Sequence, residues 1–153
     1  MKVLVQRVLN ASLRIDGKLF SEIGKGYLLL VGFEEGDEIS MVDKMATKIA
    51  KSRLFEDGNG KTNLSIKDVS GSILSVSQFT LAANLKEGNR PSFVKAMKPE
   101  KAKTFYALWN EKLRSFEIPV KEGLFGADMK ITLCNDGPFT IIFDSKDLFG
   151  EKK

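Results

Sequence analysis

The chain has 153 residues, the size of one ordinary domain, and carries 24 Lys and Arg against 20 Asp and Glu, a formal net charge of +4. It contains no histidine and one cysteine, Cys134, which excludes Ser-His-Asp and Cys-His triads and the usual His- or Cys-based zinc sites. No apolar run approaches the roughly 20 residues of a membrane-spanning helix. Since Cys134 has no internal disulfide partner, we expect a cytoplasmic protein without a membrane partner.

The first part of the chain predicts three strands. Apolar and polar residues interleave over 3–15, Asp16-Gly17 is typical of a hairpin turn, and 18–23 predicts the returning strand. The near-continuous apolar run over 27–34 predicts a central strand buried on both faces.

The period of the apolar residues then changes to that of a helix. Apolar residues recur at intervals of three and four over about 40–53, and Ser40 and Asp43 have the spacing of a capping box. The turn residues 57–60 predict a second hairpin, and 72–81 predicts a further strand.

A second helix is predicted after a polar, basic loop over 82–98. Pro99 suits the first helical position, Glu100 suits the positive end of the helix dipole, and Pro119 follows the helix end. One apolar stripe runs along this helix, and we predict it to be core: Ala102, Phe105, Tyr106, Trp109, Leu113 and Phe116.

The last third predicts strands at 120–122, 127–134 and 139–144, with a turn at 135–138 between the last two. Strands therefore dominate, without a strand–helix–strand rhythm. We predict an α+β fold, a largely antiparallel β-sheet or barrel with two helices, in one domain over 1–145. The charged tail 146–153 is expected to be frayed.

The positive charge is concentrated between Lys86 and Lys103, in the basic loop and the first turn of the second predicted helix. Six cations stand against Glu87 and Glu100, a local balance of 6 − 2 = +4: Lys86, Arg90, Lys95, Lys98, Lys101 and Lys103. Such a stretch could follow a phosphate backbone, or it could simply be a solvated face. No zinc finger, RNA-recognition signature or basic zipper accompanies it, so we do not expect sequence-specific reading of a groove.

Two short polar segments depart from the pattern of an ordinary core. The first, Ser77-Gln78-Phe79-Thr80-Leu81, ends the strand predicted at 72–81, and neither face of that strand is cleanly apolar. Backbone N–H groups at such a strand end could bind an oxyanion. The alternative is a strand whose hydroxyl groups are satisfied locally.

The second segment is Asn135-Asp136-Gly137-Pro138-Phe139-Thr140. Proline lacks an N–H and is unfavourable in a central strand, so the segment is explained most simply by turn chemistry. A cis Gly137-Pro138 bond would instead present backbone carbonyls in an unusual orientation, suited to checking the shape of a ligand.

Both motifs resemble those of the D-aminoacyl-tRNA deacylases of the D-tyrosyl-tRNA deacylase type, and the resemblance runs from Met1 to about Phe143. The S-Q-F-T-L and N-x-G-P-x-T patterns are intact, and Phe139 is larger than the Val expected at its position. Further family-like stretches are 6–8, 24–26, 90–93 and 125–129.

The resemblance implies a homodimer with two active sites at the interface, each combining the 77–81 strand of one subunit with the Gly137-Pro138 turn of the other. In the family this Gly-Pro bond is cis, and its carbonyls exclude L-residues while D-residues and glycine fit. The implied site residues are catalytic Ser77, Gln78, Phe79 and Thr80; the chirality check Gly137 and Pro138; pocket support from Arg7, Phe125 and Met129; and tRNA contacts from Lys86, Arg90, Lys95 and Lys98. No cofactor and no metal are implied.

The implied reaction is hydrolysis of the ester in D-aminoacyl-tRNA, and in glycyl-tRNA mischarged on tRNA(Ala), which releases tRNA and the free amino acid. The backbone N–H groups of Gln78 and Phe79 would stabilise the oxyanion. Thr80 would position the substrate rather than attack it, because no base is evident beside it. The alternatives are a non-catalytic tRNA-binding module, a stand-alone synthetase-type editing domain, or a stereospecific esterase for small substrates.

Overall fold

Strands and helices follow one another along residues 1–150, the part of the chain that the computed structural model describes. The strands are β1 Lys2–Ile15, β2 Lys18–Ile23, β3 Gly26–Gly32, β4 Phe55–Glu56, β5 Thr62–Leu64, β6 Ser72–Ser77, β7 Val120–Glu122 and β8 Lys130–Asp144. The helices are α1 Ile39–Lys51, α2 Pro99–Arg114 and α3 Ser145–Phe149, with a 3-10 helix at Phe79–Ala82. Both predicted hairpins, β1–β2 and β4–β5, are confirmed.

The main sheet has the order β2-β1-β3-β6-β7, and β8 pairs with the other edge of β1. Strand β2 also contacts β6 and β7, so the sheet curls into a nearly closed barrel. The α+β barrel is confirmed, but the sheet is mixed rather than largely antiparallel, since β3–β6 and β6–β7 are parallel pairs. Each of these pairs is joined by a helix-containing crossover, which returns the chain to the same end of the sheet.

The hydrophobic core has two parts, one on each face of the sheet. Helices α1 and α2 pack on the outer face, where Trp109, Tyr27 and Val31 belong to the larger cluster. The barrel interior holds a smaller cluster that includes Leu28 and Leu74. The predicted core stripes are confirmed: the α1 residues that recur at intervals of three and four are buried, and so is the α2 stripe apart from the half-buried Phe116. The buried residues of α1 are Val42, Met45, Ala46, Ile49 and Ala50.

Strand β8 runs unbroken where the sequence predicted two strands and a turn. Thr140 pairs with Gln6 and Asn135 with Val8, so the four residues 136–139 stand opposite the single residue Arg7. The segment is a bulge within a paired strand, a position that tolerates Pro138 because no ladder hydrogen bond is required there. The predicted turn at 135–138 is therefore corrected to a bulge.

The ends of the helices also differ in detail from the prediction. Helix α1 begins at Ile39 after Glu38 without a side-chain cap, so the predicted capping box of Ser40 and Asp43 does not form. Residues 146–149, expected to be frayed, belong to α3, because Asp144 accepts a hydrogen bond from the backbone of Lys146 and Phe149 packs against the core. Residues 151–153 of the predicted tail lie outside the described residues. Within residues 1–150, no helix is both long and apolar enough to cross a bilayer.

Trp109 should be a major contributor to stability. Its side chain is fully buried between α2 and the sheet. We expect Trp109→Ala to lower the free energy of unfolding by about 3–5 kcal/mol, through lost burial and the cavity left behind. Urea unfolding measures the change, and Leu108→Ala on the exposed side of the same helix is the control, expected to cost less than about 1 kcal/mol. Equal losses in the two variants would contradict the assignment of Trp109 to the core.

Candidate active site

The first motif forms a tight turn immediately after β6. The strand ends at Ser77, and Phe79–Ala82 is a 3-10 helix, so the prediction that strand geometry continues to Leu81 is wrong. Residues 73–76 are buried, and β6 lies between β3 and β7 in the sheet. The turn leaves Phe79 and Thr80 exposed at the end of a rigid strand.

Gly32, at the end of β3, allows this turn to form. A Cβ atom placed on Gly32 would lie 2.9 Å from the carbonyl oxygen of Gln78 and 2.9 Å from the Cβ of Leu81. Any larger residue would therefore displace the turn. Sequence reasoning missed Gly32, and the only available signal was a glycine at the end of a buried apolar run.

The turn changes which backbone N–H groups are available for an oxyanion. The N–H of Gln78 donates to the carbonyl of Val31 at 2.7 Å, so the prediction that it is free is wrong. Within residues 1–150, no hydrogen bond is found for the N–H groups of Phe79 and Thr80. Because the first N–H groups of a helix lack internal partners, these two can face a ligand together.

The Thr80 hydroxyl has a hydrogen-bond donor as its neighbour. The side-chain amide nitrogen of Gln78 donates to Thr80 Oγ1, and within the described residues no carboxylate or amine is bonded to that oxygen. A primary amide is not a base, so this contact orients the hydroxyl without activating it. Beside it, the ring of Phe79 meets that of Phe93 edge to face, with centroids 5.1 Å apart.

Helix α2 supports the strand from behind. The Tyr106 hydroxyl donates to the Ser75 carbonyl at 2.6 Å and accepts from the Gly123 N–H at 3.2 Å. Burial raises the pKa of Tyr106, which keeps the phenol protonated as this geometry requires. Phe125 lies against the Tyr106 ring, and Met129 packs beside Gly123. Phe125 and Met129, both predicted to support the pocket, therefore lie next to β6. Within residues 1–150, neither has a hydrogen bond or a ring contact to Thr80.

The second motif is held by a closed set of contacts around Arg7. The buried guanidinium donates to the carbonyls of Asp136 at 3.1 Å and Leu54 at 2.9 Å, and lies 4.3 Å over the ring of Phe139. Asn135 closes the bulge, since its side chain accepts from the N–H of Phe139 at 2.9 Å and donates to the carbonyls of Phe139 and Arg7.

Gly137 and Pro138 are exposed at the tip of this bulge, and the peptide bond between them is cis. Gly137 has φ +143°, a conformation that residues with a side chain rarely adopt, and an added Cβ would lie 3.0 Å from the Phe139 nitrogen. The surrounding contacts therefore fix the position of the exposed Gly137-Pro138 backbone.

Within one chain the two motifs lie far apart. The strand register places Arg7 opposite Tyr27, and Tyr27 opposite Ile73, which is four residues before Ser77. The bulge opposite Arg7 is three strands away from β6. With about 3.3 Å per residue and 4.8 Å per strand, the separation is roughly 15–20 Å. One subunit therefore does not bring Gly137-Pro138 to Thr80.

The predicted tRNA-binding residues separate into two groups. Lys86 and Lys95 line one cleft together with Ala82 and Ala83, directly after the 3-10 helix. Arg90 lies at the exposed tip of the loop, and Lys98 precedes α2, where its backbone N–H donates to Glu35. Neither Arg90 nor Lys98 lines that cleft.

Activity at this site should be independent of metal ions. Within residues 1–150, no group of three or more His, Cys, Asp or Glu residues could hold one. Since the chain has no histidine and one cysteine, we expect full activity after exhaustive dialysis against EDTA. Loss of activity that a single divalent ion restores would contradict this expectation.

The site therefore combines two backbone N–H groups, for which no hydrogen bond is found within residues 1–150, with one hydroxyl in a chain without histidine, an arrangement compatible with ester hydrolysis assisted by backbone hydrogen bonds. The family model described as D-Tyr-tRNA(Tyr) deacylase matches residues 4–144. The chain belongs to this family.

Curated relatives are similar over almost their whole length. Proteins named D-aminoacyl-tRNA deacylase from Lactobacillus gasseri, Lactobacillus acidophilus and Lactobacillus helveticus are each 58% identical to it, over 94% of this chain and 99% of the relative. The family predicted from the two motifs is confirmed.

Solved structures agree with the fold. One, described as c-Myc DNA Unwinding Element Binding Protein, is 41% identical with a TM-score of 0.88, covering 94% of this chain and 98% of that one. Another, described as a probable eukaryotic D-amino acid tRNA deacylase, has a TM-score of 0.81 at 16% identity, covering 93% and 97%, and supports the fold alone.

Proposed function

We propose that the chain hydrolyses the ester bond of D-aminoacyl-tRNA and releases free tRNA and a D-amino acid. The observation that carries this proposal is the turn after β6, where Phe79 and Thr80 are exposed and no hydrogen bond is found for their N–H groups within residues 1–150, in a chain of the deacylase family. The activity belongs in the cytoplasm, where aminoacyl-tRNA is used.

The reaction needs little from side chains. Water adds to the ester carbonyl, the N–H groups of Phe79 and Thr80 stabilise the oxyanion, and the ribose oxygen leaves with a proton when the intermediate collapses. The neighbouring ribose hydroxyl of the substrate can assist that proton transfer. Thr80, held by Gln78, positions the ribose and does not form a covalent intermediate.

The active form is a homodimer in which each pocket combines the turn of one subunit with the Gly137-Pro138 bulge of its partner. The roughly 15–20 Å between the two motifs within one chain supports this, since a single subunit leaves each of them incomplete. Phe79 and Thr80 in the first motif, and Gly137 and Pro138 in the second, are also exposed, as docking requires. Sedimentation should give twice the monomer mass of 17.0 kDa.

The partner's carbonyls would lie against the Cα of the aminoacyl group and exclude an L side chain. D-residues, and glycine as in glycyl-tRNA(Ala), carry no group on that side. The discrimination depends on a clash, so a broad range of D side chains should be accepted.

The test is the release of tyrosine from D-tyrosyl-tRNA by purified protein above the spontaneous rate. Multiple turnover is expected. Binding of the tRNA without turnover would support the non-catalytic tRNA-binding module instead. Preferential hydrolysis of L-aminoacyl-tRNA would support the synthetase-type editing domain, and hydrolysis of simple D-amino-acid esters but not of tRNA esters would support a small-substrate esterase.

A further inference from the structure

A basic cleft of about 270 Å³ opens directly beyond the turn that carries Thr80. Ala82 and Ala83, at the end of the 3-10 helix that contains Thr80, line this cleft. Asn84 and Leu85 also line it, and its charged lining combines four lysines with one carboxylate: Lys2, Lys86, Lys95 and Lys146 with Glu34. We call this surface the lysine cleft.

The four lysines come from separate parts of the chain. Lys2 is the first residue of β1, Lys86 and Lys95 belong to the loop after the 3-10 helix, and Lys146 lies in α3. The fold therefore assembles a positive cluster that the sequence does not show, and the balance of the lining is 4 − 1 = +3. Lysines that only keep a surface solvated are not expected to gather around one concave surface.

Glu34 organises half of this cluster. Its side chain is only 9% exposed, and its carboxylate lies 3.6 Å from Lys2 Nζ and 3.3 Å from Lys146 Nζ. One carboxylate that holds two ammonium groups leaves positive charge unneutralised. Lys86 and Lys95 are in none of the ion pairs found within residues 1–150, so both can reach a ligand in the cleft.

The cleft lies within one nucleotide of the candidate catalytic group. Thr80 and Ala82 are two residues apart in a 3-10 helix, which rises about 2 Å per residue. An aminoacyl ester at Thr80 sits on a terminal ribose whose 5′ side carries a phosphate. That phosphate is the nearest anion of the substrate, and the lysine cleft is the adjoining positive surface.

We propose that the lysine cleft binds the phosphate on the 5′ side of the terminal adenosine of tRNA and thereby sets the position of the ester at Thr80. This inference rests on the proposed function and specifies how the substrate is recognised. It also divides the basic stretch: Lys86 and Lys95 contact this phosphate, whereas Arg90 and Lys98 lie outside the cleft.

The experiment compares two minimal substrates, D-tyrosyl-adenosine and D-tyrosyl-adenosine 5′-phosphate, each esterified on the ribose. The wild-type protein should show a KM about tenfold lower for the phosphorylated ester, as two exposed charge contacts of up to about 1 kcal/mol each can provide. In the double variant Lys86→Gln/Lys95→Gln this preference should fall to about twofold or less. Lys44→Gln, an exposed lysine on α1 outside the cleft, is the charge-matched control and should keep the wild-type ratio.

The ratio of the two KM values separates this inference from the proposed function. Turnover of both esters with equal KM in the wild type would overturn the inference and leave the deacylase proposal intact. A preference that survives in the double variant, or that disappears equally in Lys44→Gln, would also overturn it. Hydrolysis of neither ester, nor of D-tyrosyl-tRNA, would overturn both proposals.

Discussion

D-tyrosyl-tRNA should be hydrolysed with a kcat/KM at least about 100-fold above that for L-tyrosyl-tRNA, a difference of about 2.7 kcal/mol in transition-state binding. The expected cause is a clash between an L side chain and the carbonyls of the Gly137-Pro138 bulge. Such a clash discriminates only if the bulge cannot retreat, and the buried Arg7 together with Asn135 holds it in place. Deacylation of matched D- and L-tyrosyl-tRNA measures the ratio.

A variant that loosens the bulge tests the cause. Asn135→Ala removes the hydrogen bonds to Phe139 and Arg7, and should reduce the D/L ratio by about tenfold or more, as expected for the loss of partly buried hydrogen bonds. Cys134→Ser, an exposed neighbour on the same strand, should leave the ratio unchanged. Equal rates on D- and L-tyrosyl-tRNA in the wild type would contradict the role given to Gly137 and Pro138.

Thr80→Ala should retain activity within about tenfold of the wild type. The hydroxyl contacts an amide donor rather than a base, and the N–H groups of Phe79 and residue 80 remain after the side chain is removed. If Thr80 were the nucleophile, its loss would reduce kcat by several orders of magnitude, as observed for covalent catalysts. Single-turnover assays on D-tyrosyl-tRNA distinguish the two outcomes.

The substrate hydroxyl should matter more than the hydroxyl of Thr80. A tRNA ending in 2′-deoxyadenosine should react about 10²-fold or more slowly, which is the typical effect of losing a positioned proton-transfer group. Thr80→Ser is the matched control, since it keeps the oxygen that Gln78 binds, and it should resemble the wild type. A trapped acyl ester on Thr80 would overturn the positioning role and leave the deacylase assignment intact.

The amino-acid sequence by itself determined the residue chemistry and most of the local structure. The missing histidine excluded the common triads, the 3.6-residue period located α1 and α2 with their buried faces, and two short motifs identified the family. These features depend on nearest neighbours along the chain or on burial, and a single sequence records both directly.

The tertiary structure decided which distant groups meet. The burial pattern of a strand is the same beside a parallel and an antiparallel partner strand. The mixed sheet results from the crossover connections through α1 and α2, which make β3–β6 and β6–β7 parallel pairs. The same limit explains the error at Gln78: its N–H bonds to Val31, 47 residues earlier, and that partner follows from the pairing of β6 with β3. The lysine cleft likewise combines Lys2 with Lys146, because β1 and β8 pair along their length and bring the two ends of the chain together.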